Sequence, residues 1–204
     1  MLIPTIFQDE PQCIPKKGIL HIGAHMCEET SLYHSIGIDD KDILWIEGNP
    51  DIIDKNQKNI INAVVSDNDN ESVSFIITNN IESSSILELH THKQEHPHIH
   101  EIHRRIVKTI TLNSLYEQKQ IPYDRYDFIN IDIQGAELKA LKGATKILPH
   151  IKAIYAEVNV KELYKGCGLM HEIDEYLEGY GFKRVATKML EYGWGDALYL
   201  SSNL

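Results

Sequence analysis

An α/β fold built on a mostly parallel sheet is predicted by three observations. The first is the stretch Gly18-Ile19-Leu20-His21-Ile22-Gly23-Ala24, a short apolar run ending in a glycine turn. A helical pattern opens after it at Glu28-Glu29-Thr30, with Leu32, Tyr33 and Ile36 on one face and Gly37 closing it. The second is Ile43-Leu44-Trp45-Ile46-Glu47, another apolar run, which ends in a carboxylate. The third is recurrence: Phe128 to Ile131 leads into Asp132, and Ala153 to Val158 carries Glu157 and then Asn159 at its end. Apolar runs without alternation suit strands buried on both faces, as parallel strands are. In open α/β sheets the ends of such strands bind ligands.

The remaining elements fall into order around these. Residues 51–59, after the Asn49-Pro50 turn, read as a second helix, and residues 62–67 as a third short strand with a polar end. Ser66 and Asp67 there are placed either to meet an adenine ring or to start a turn. Residues 72–78 alternate and are expected to pair with residues 106–112, an excursion from the βα alternation. Residues 113–119 read as a short helix capped by Asn113 or Ser114, and residues 136–148 as a longer one. Residues 172–180 form a further helix, with Ile173, Tyr176 and Leu177 inward. Residues 182–187 and 196–200 are joined too briefly for a crossover helix, so they should pair antiparallel.

The chain has 204 residues, enough for one α/β domain with a sizeable core. Residues 1–17, with three prolines by Pro15, read as a lead-in, and residues 18–204 as a single domain. A net charge of −10 argues against nonspecific binding to nucleic acid or to an anionic membrane, and neither is an expected partner. There is no apolar run long enough to span a bilayer and no signal-peptide pattern. Cys13, Cys27 and Cys167 are odd in number and fit no paired spacing, so reduced thiols and a cytoplasmic location are expected.

The strand-end residues separate two cofactor classes. A dinucleotide needs a pyrophosphate cradle at the helix start, with small residues in a G-x-G-x-x-G series. Here the series is Gly23, His25, Glu28, and a glutamate at that point repels a pyrophosphate. S-adenosylmethionine has no phosphate and carries a sulfonium and an ammonium, so acidic surroundings suit it. Glu47, ending the second strand, is placed to take the ribose hydroxyls. Each of Glu47, Asp132 and Glu157 alone also reads as a helix cap or surface charge. Their recurrence at strand ends points to one acidic cleft.

Six histidines lie between His90 and His103. Imidazoles are common metal ligands, but Pro97 prevents a single helical face, no HExxH frame is present, and no cysteine pair lies near. The expectation is a loop lining the substrate cleft, with no metal.

Taken together, His21-Ile-Gly-Ala-His25, Trp45-Ile-Glu-Gly-Asn-Pro50, Ala63-Val-Val-Ser-Asp67, Ser83-Ser-Ser-Ile-Leu87, Asp127-Phe-Ile-Asn-Ile-Asp-Ile-Gln-Gly-Ala-Glu137, Ala156-Glu-Val-Asn159 and Gly193-Trp-Gly-Asp-Ala-Leu-Tyr199 resemble the FkbM-type S-adenosylmethionine-dependent methyltransferases from about Ile19 onward. The resemblance implies the class I methyltransferase fold: a Rossmann-like seven-stranded sheet, mostly parallel, with the last strand antiparallel and helices on both faces. The family's opening is commonly D-x-G-A-N-x-G-x-x-T. Gly23, Ala24 and Thr30 match it, whereas His21, His25 and Cys27 depart from it. Gly23, Ala24, His25, Thr30, Glu47, Asn49, Ser66 and Asp67 are thereby candidate cofactor residues, with Glu28 or Glu29 left to meet the ammonium.

The implied reaction is O-methylation, with a sugar or other glycan hydroxyl as the expected acceptor. Asp132 is the first candidate for base or acceptor-orienting group and Glu157 the second. Gln134 and Asn159 are candidates for hydrogen bonds to the acceptor. Trp194 either stacks on a sugar face or packs in the final hairpin. The rivals are a nicotinamide-dependent sugar oxidoreductase, disfavoured by Glu28 and the absence of a Tyr-x-x-x-Lys pair, and a binding module of the same fold without catalysis. Titration with S-adenosylmethionine and with NADH, beside a methylation assay, separates the three.

Overall fold

The computed structural model describes residues 3–53 and 57–202. Its main sheet has seven strands: β1 (Ile19–Ile22), β2 (Ile43–Glu47), β3 (Ile60–Asn62), β7 (Phe128–Ile131), β8 (Ala153–Asn159), β9 (Phe182–Met189) and β10 (Trp194–Ser201). Their spatial order is β3-β2-β1-β7-β8-β10-β9. The first five are parallel, while β10 runs antiparallel to both β8 and β9. This is the architecture the resemblance implies. The strand order reverses at β1, which lies between β2 and β7, and the crevice at such a switch point is where these sheets bind ligands.

Strand periodicity divides the core into two layers. Leu20, Ile22, Leu44, Ile46, Ile129 and Ile131 face one way and pack against α4 (Leu112–Lys119), α5 (Glu137–Lys142) and α6 (Met170–Glu178). Ile19, Ile43, Trp45 and Phe128 face the other way and pack against Tyr33 of α2 (Thr30–Ser35) and Ile6 and Phe7 of α1 (Ile3–Asp9). The Phe7 and Phe128 rings lie 5.6 Å apart, and Ile6, Phe7 and Cys13 are part of this second layer.

A second sheet has the order β4-β6-β5, from β4 (Val64–Val65), β5 (Ser72–Thr78) and β6 (Glu101–Ile110). The predicted third strand is therefore two strands in two sheets. Ala63 alone separates them; its N–H donates to the Glu47 carbonyl, while Val64 and Val65 pair with Thr109 and Ile110 of β6. Burial against Phe75 and Ile77 draws Val64 into the second sheet. The predicted β5 partner is confirmed but begins at Glu101, with Ser72 opposite Lys108.

Other boundaries differ as well. Thr111, rather than Asn113 or Ser114, caps α4, its hydroxyl accepting from the Ser114 N–H. The helix expected over 136–148 ends at Lys142. There Gly143 is pressed against Ser66, whose carbonyl oxygen would stand 2.2 Å from a Cβ at 143. The last helix begins at Met170, two residues earlier than expected. Of the helix expected over 51–59, residues 51–53 and 57–59 form turns and loop, and 54–56 lie outside the described residues.

Cys13, Cys27 and Cys167 are buried and form no disulfide. No helix among the described residues is long and apolar enough to cross a membrane.

Candidate active site

A cleft of about 560 Å³ opens at the C-terminal ends of β1, β2, β7 and β8. Gly23 forms its floor. Its φ of +90° is left-handed, and a Cβ there would lie 1.8 Å from the Asp132 carbonyl oxygen. Only glycine lets β1 and β7 leave the sheet this close together. The Gly23 and Ala24 N–H groups both donate to the Ile46 carbonyl, at 2.9 and 3.0 Å, tying the turn to β2.

Glu47, at the end of β2, is held by backbone donors on both oxygens: the His25 N–H at 2.8 Å and the Asn49 N–H at 2.7 Å. Burial pushes its carboxyl above the ordinary value, and the two amides oppose that shift. His25, at φ +44°, turns its ring to Glu28, with Nδ1 2.6 Å from the carboxylate. Glu29 also lines the cleft, its pKa raised by burial.

His21 fills the position of the family's aspartate in a different way. Asn130 Nδ2 donates to the Tyr33 hydroxyl at 2.7 Å, and His21 Nδ1 lies 2.9 Å from that same oxygen. With Asn130 donating, the Tyr33 proton goes to His21 Nδ1, which assigns the imidazole proton to Nε2. Burial drives the His21 pKa down to about 3, so the ring is neutral.

Opposite Glu47, the loop after β7 gathers carboxylates. Gln134, at φ +56°, aims its Nε2 at Asp132 Oδ1 (2.7 Å) and Glu157 Oε2 (2.8 Å). Its Oε1 accepts from the Tyr164 hydroxyl at 2.5 Å, which fixes the amide's orientation, and its carbonyl accepts from Ser85 Oγ at 2.8 Å. Glu137, at the start of α5, turns back so that Oε1 accepts from the Ile133 and Gly135 N–H groups, at 2.8 and 3.1 Å. Its pKa is raised to about 7, by burial first and Asp132 second. Burial and then Asp132 also raise Glu157 well above the carboxylate range. Asp196 faces Glu157 across the β8–β10 pair and lines the same wall.

The cleft thus brings together Gly23, Ala24, His25, Glu47, Asn49, Asp132, Gln134, Glu157 and Trp194. It leaves four expected residues outside its lining. Thr30 bonds the Cys27 carbonyl, and Ser66 bonds Asp67 behind β4. Asn159 lies opposite Trp194, fully buried, with both side-chain polar atoms unpartnered. Val64, Val65 and Phe75 line the region where Ser66 and Asp67 were expected.

Several lining or supporting residues went unpredicted from sequence. Glu137 and Tyr164 hold the carboxylate loop, Asn80 and Asn130 line the cleft, and Tyr33 is bonded to Asn130. The Asp132-to-Glu137 motif carried a signal for Glu137, since an acid five residues after a strand-end aspartate and two after a glycine is placed to cap its own loop. Of the histidine-rich segment, His92 and His96 line the cleft. His92 is buried, with its pKa lowered to about 4 by burial.

Similarity to solved structures is low in sequence. The magnesium protoporphyrin IX methyltransferase of Synechocystis PCC 6803, crystallised with bound S-adenosylmethionine, is 10% identical; the match covers 98% of this chain and 76% of that one, with a TM-score of 0.49. The PH0226 protein of Pyrococcus horikoshii OT3 is 8% identical, with coverages of 98% and 88% and a TM-score of 0.41. No curated protein sequence matches the chain. The model of the methyltransferase FkbM domain matches residues 21–184, most of the chain, and the chain belongs to that family of methyltransferases.

Proposed function

We propose that this methyltransferase transfers the methyl group of S-adenosylmethionine to a hydroxyl, with a sugar or glycan as acceptor. The observation that carries the reading is the Gln134 bridge. One amide holds Asp132 and Glu157 side by side at the ends of neighbouring strands, across the cleft from Glu47. S-adenosylmethionine is the cofactor of this family, and the cleft fits it. The Gly23 turn leaves no room for a Cβ against the Asp132 backbone, which keeps the ends of β1 and β7 close together in the cleft, and Glu47 is anchored to accept ribose hydroxyls. When bound, the cofactor supplies a methyl group already activated by its sulfonium.

The chain's own task is then alignment and proton removal. Asp132 takes the acceptor proton or orients the hydroxyl. Glu157, held beside Asp132 by the same Gln134 amide, is the second group placed to orient the acceptor hydroxyl. Trp194, half-buried at the start of β10, offers a face for a sugar ring. His92, His96, Asn80 and residues 83–85 form the wall on the acceptor's side. Buried reduced thiols support a cytoplasmic location.

The test is S-adenosylmethionine titration by calorimetry, followed by transfer of labelled methyl to a panel of glycans and hydroxylated small molecules. Binding without transfer to any member would favour a non-catalytic module.

A further inference from the structure

Asp132, Glu137 and Glu157 each bring a carboxylate oxygen to within 4.8 Å of the others. Their positive partners are few. Gln134 Nε2 serves Asp132 and Glu157, and two backbone N–H groups serve Glu137 Oε1. Glu137 Oε2 is fully buried and has no hydrogen-bond partner. Leaving a buried acceptor unmade is costly, and more so for an ionised one. Among the described residues the lysines and arginines in ion pairs are bound to other carboxylates, Lys161 to Glu95 and Lys139 to Asp67 for example.

We propose that Asp132, Glu137 and Glu157 bind one divalent cation of the hard, oxygen-seeking class, magnesium, manganese or calcium. The donor set is all carboxylate, which suits these ions and not the nitrogen- and sulfur-seeking ones. The spacing fits as well. Oxygens on opposite sides of a calcium ion stand about 4.6–5.2 Å apart, and of a magnesium ion about 4.0–4.2 Å. Glu137 Oε1 is committed to the backbone, so Oε2 is the oxygen left for the ion. The site lies at the carboxylate loop rather than in the histidine-rich segment, the part of the sequence that first suggests metal. Asp132 and Glu157 line the cleft, so an ion there has coordination positions open to water or an acceptor oxygen.

Binding is measured with the metal alone, independently of methyl transfer. Protein stripped with chelator and dialysed is titrated with magnesium, calcium and manganese chloride, by calorimetry and thermal unfolding, with manganese also followed by electron paramagnetic resonance. One ion per chain and a rise in Tm are expected. Glu137→Gln keeps the oxygen that accepts from Ile133 and Gly135, and should weaken binding at least tenfold. Asp132→Asn should do the same if the first variant folds poorly. No binding of any of the three ions at millimolar concentration overturns the proposal, as does unchanged affinity in both folded variants. Glu137→Gln more stable than a parent that binds no ion assigns the site to a protonated carboxyl instead. S-adenosylmethionine titration of the same stripped protein reports separately on the methyltransferase reading.

Discussion

Gly23 and Asp132 touch through their backbones: a Cβ on the first would stand 1.8 Å from the carbonyl oxygen of the second. The glycine turn at the end of β1 and the strand end that carries the candidate base are therefore one piece of geometry.

Gly23→Ala should push these two segments apart and force an alanine to φ near +90°. A loss of about 2 kcal/mol or more in stability is expected, from strain and overpacking together. Urea unfolding measures it, and S-adenosylmethionine affinity should fall in whatever protein remains folded. A variant with parental stability and affinity would show that the turn yields easily.

Glu47→Ala should weaken S-adenosylmethionine binding by about 1–3 kcal/mol, the range for a lost charge-assisted hydrogen bond. Calorimetric titration of the folded variant decides it. Unchanged affinity removes Glu47 from the ribose site.

Asp132→Asn retains size and loses charge. If Asp132 is the base, single-turnover methyl transfer should fall by about 10²–10⁴-fold with cofactor affinity little changed. Near-normal transfer would sink that role and leave Glu157 as the candidate.

Acid stability should carry the signature of His21. Its folded pKa of about 3 lies below the ordinary value of 6.5, so between these values the unfolded chain binds the proton first. Stability is fully present above pH 6.5 and falls by up to about 1.4 kcal/mol per pH unit as acidity increases toward the folded value. His92, lowered to about 4, adds to the slope, while Glu137, raised to about 7, opposes it. The readout is therefore the difference between parent and His21→Gln in urea midpoint from pH 6.5 to 5. The variant should lose close to one proton of dependence, and parallel curves would show that His21 titrates normally in the fold.

The strands of the main sheet were legible because Ile19–Ile22, Ile43–Glu47 and Phe128–Ile131 are apolar on both faces, a pattern only a covered sheet explains. Glu47, Asp132 and Glu157 were legible as a group because all three end such strands. The division at Ala63 was not, since Val64 and Val65 look the same in either sheet until their hydrogen-bond partners are known. Ser66 and Asp67 misled for that reason: β4 leaves the main sheet, and its polar end turns toward Gly143. The departures at His25 and Cys27 have a backbone meaning that composition hides. Both are left-handed, at φ +44° and +58°, where the family's opening carries asparagine and glycine, residues that adopt this region easily.

Ala63 gives the molecule a mechanical property. It is the entire connection between the strand paired with β2 and the sheet whose Val64, Val65 and Phe75 roof the cleft. With one residue as linker, and its N–H bonded to the Glu47 carbonyl, that sheet is tied closely to the end of β2. One glycine inserted beside Ala63 should let Val64, Val65 and Phe75 shift against the end of β2.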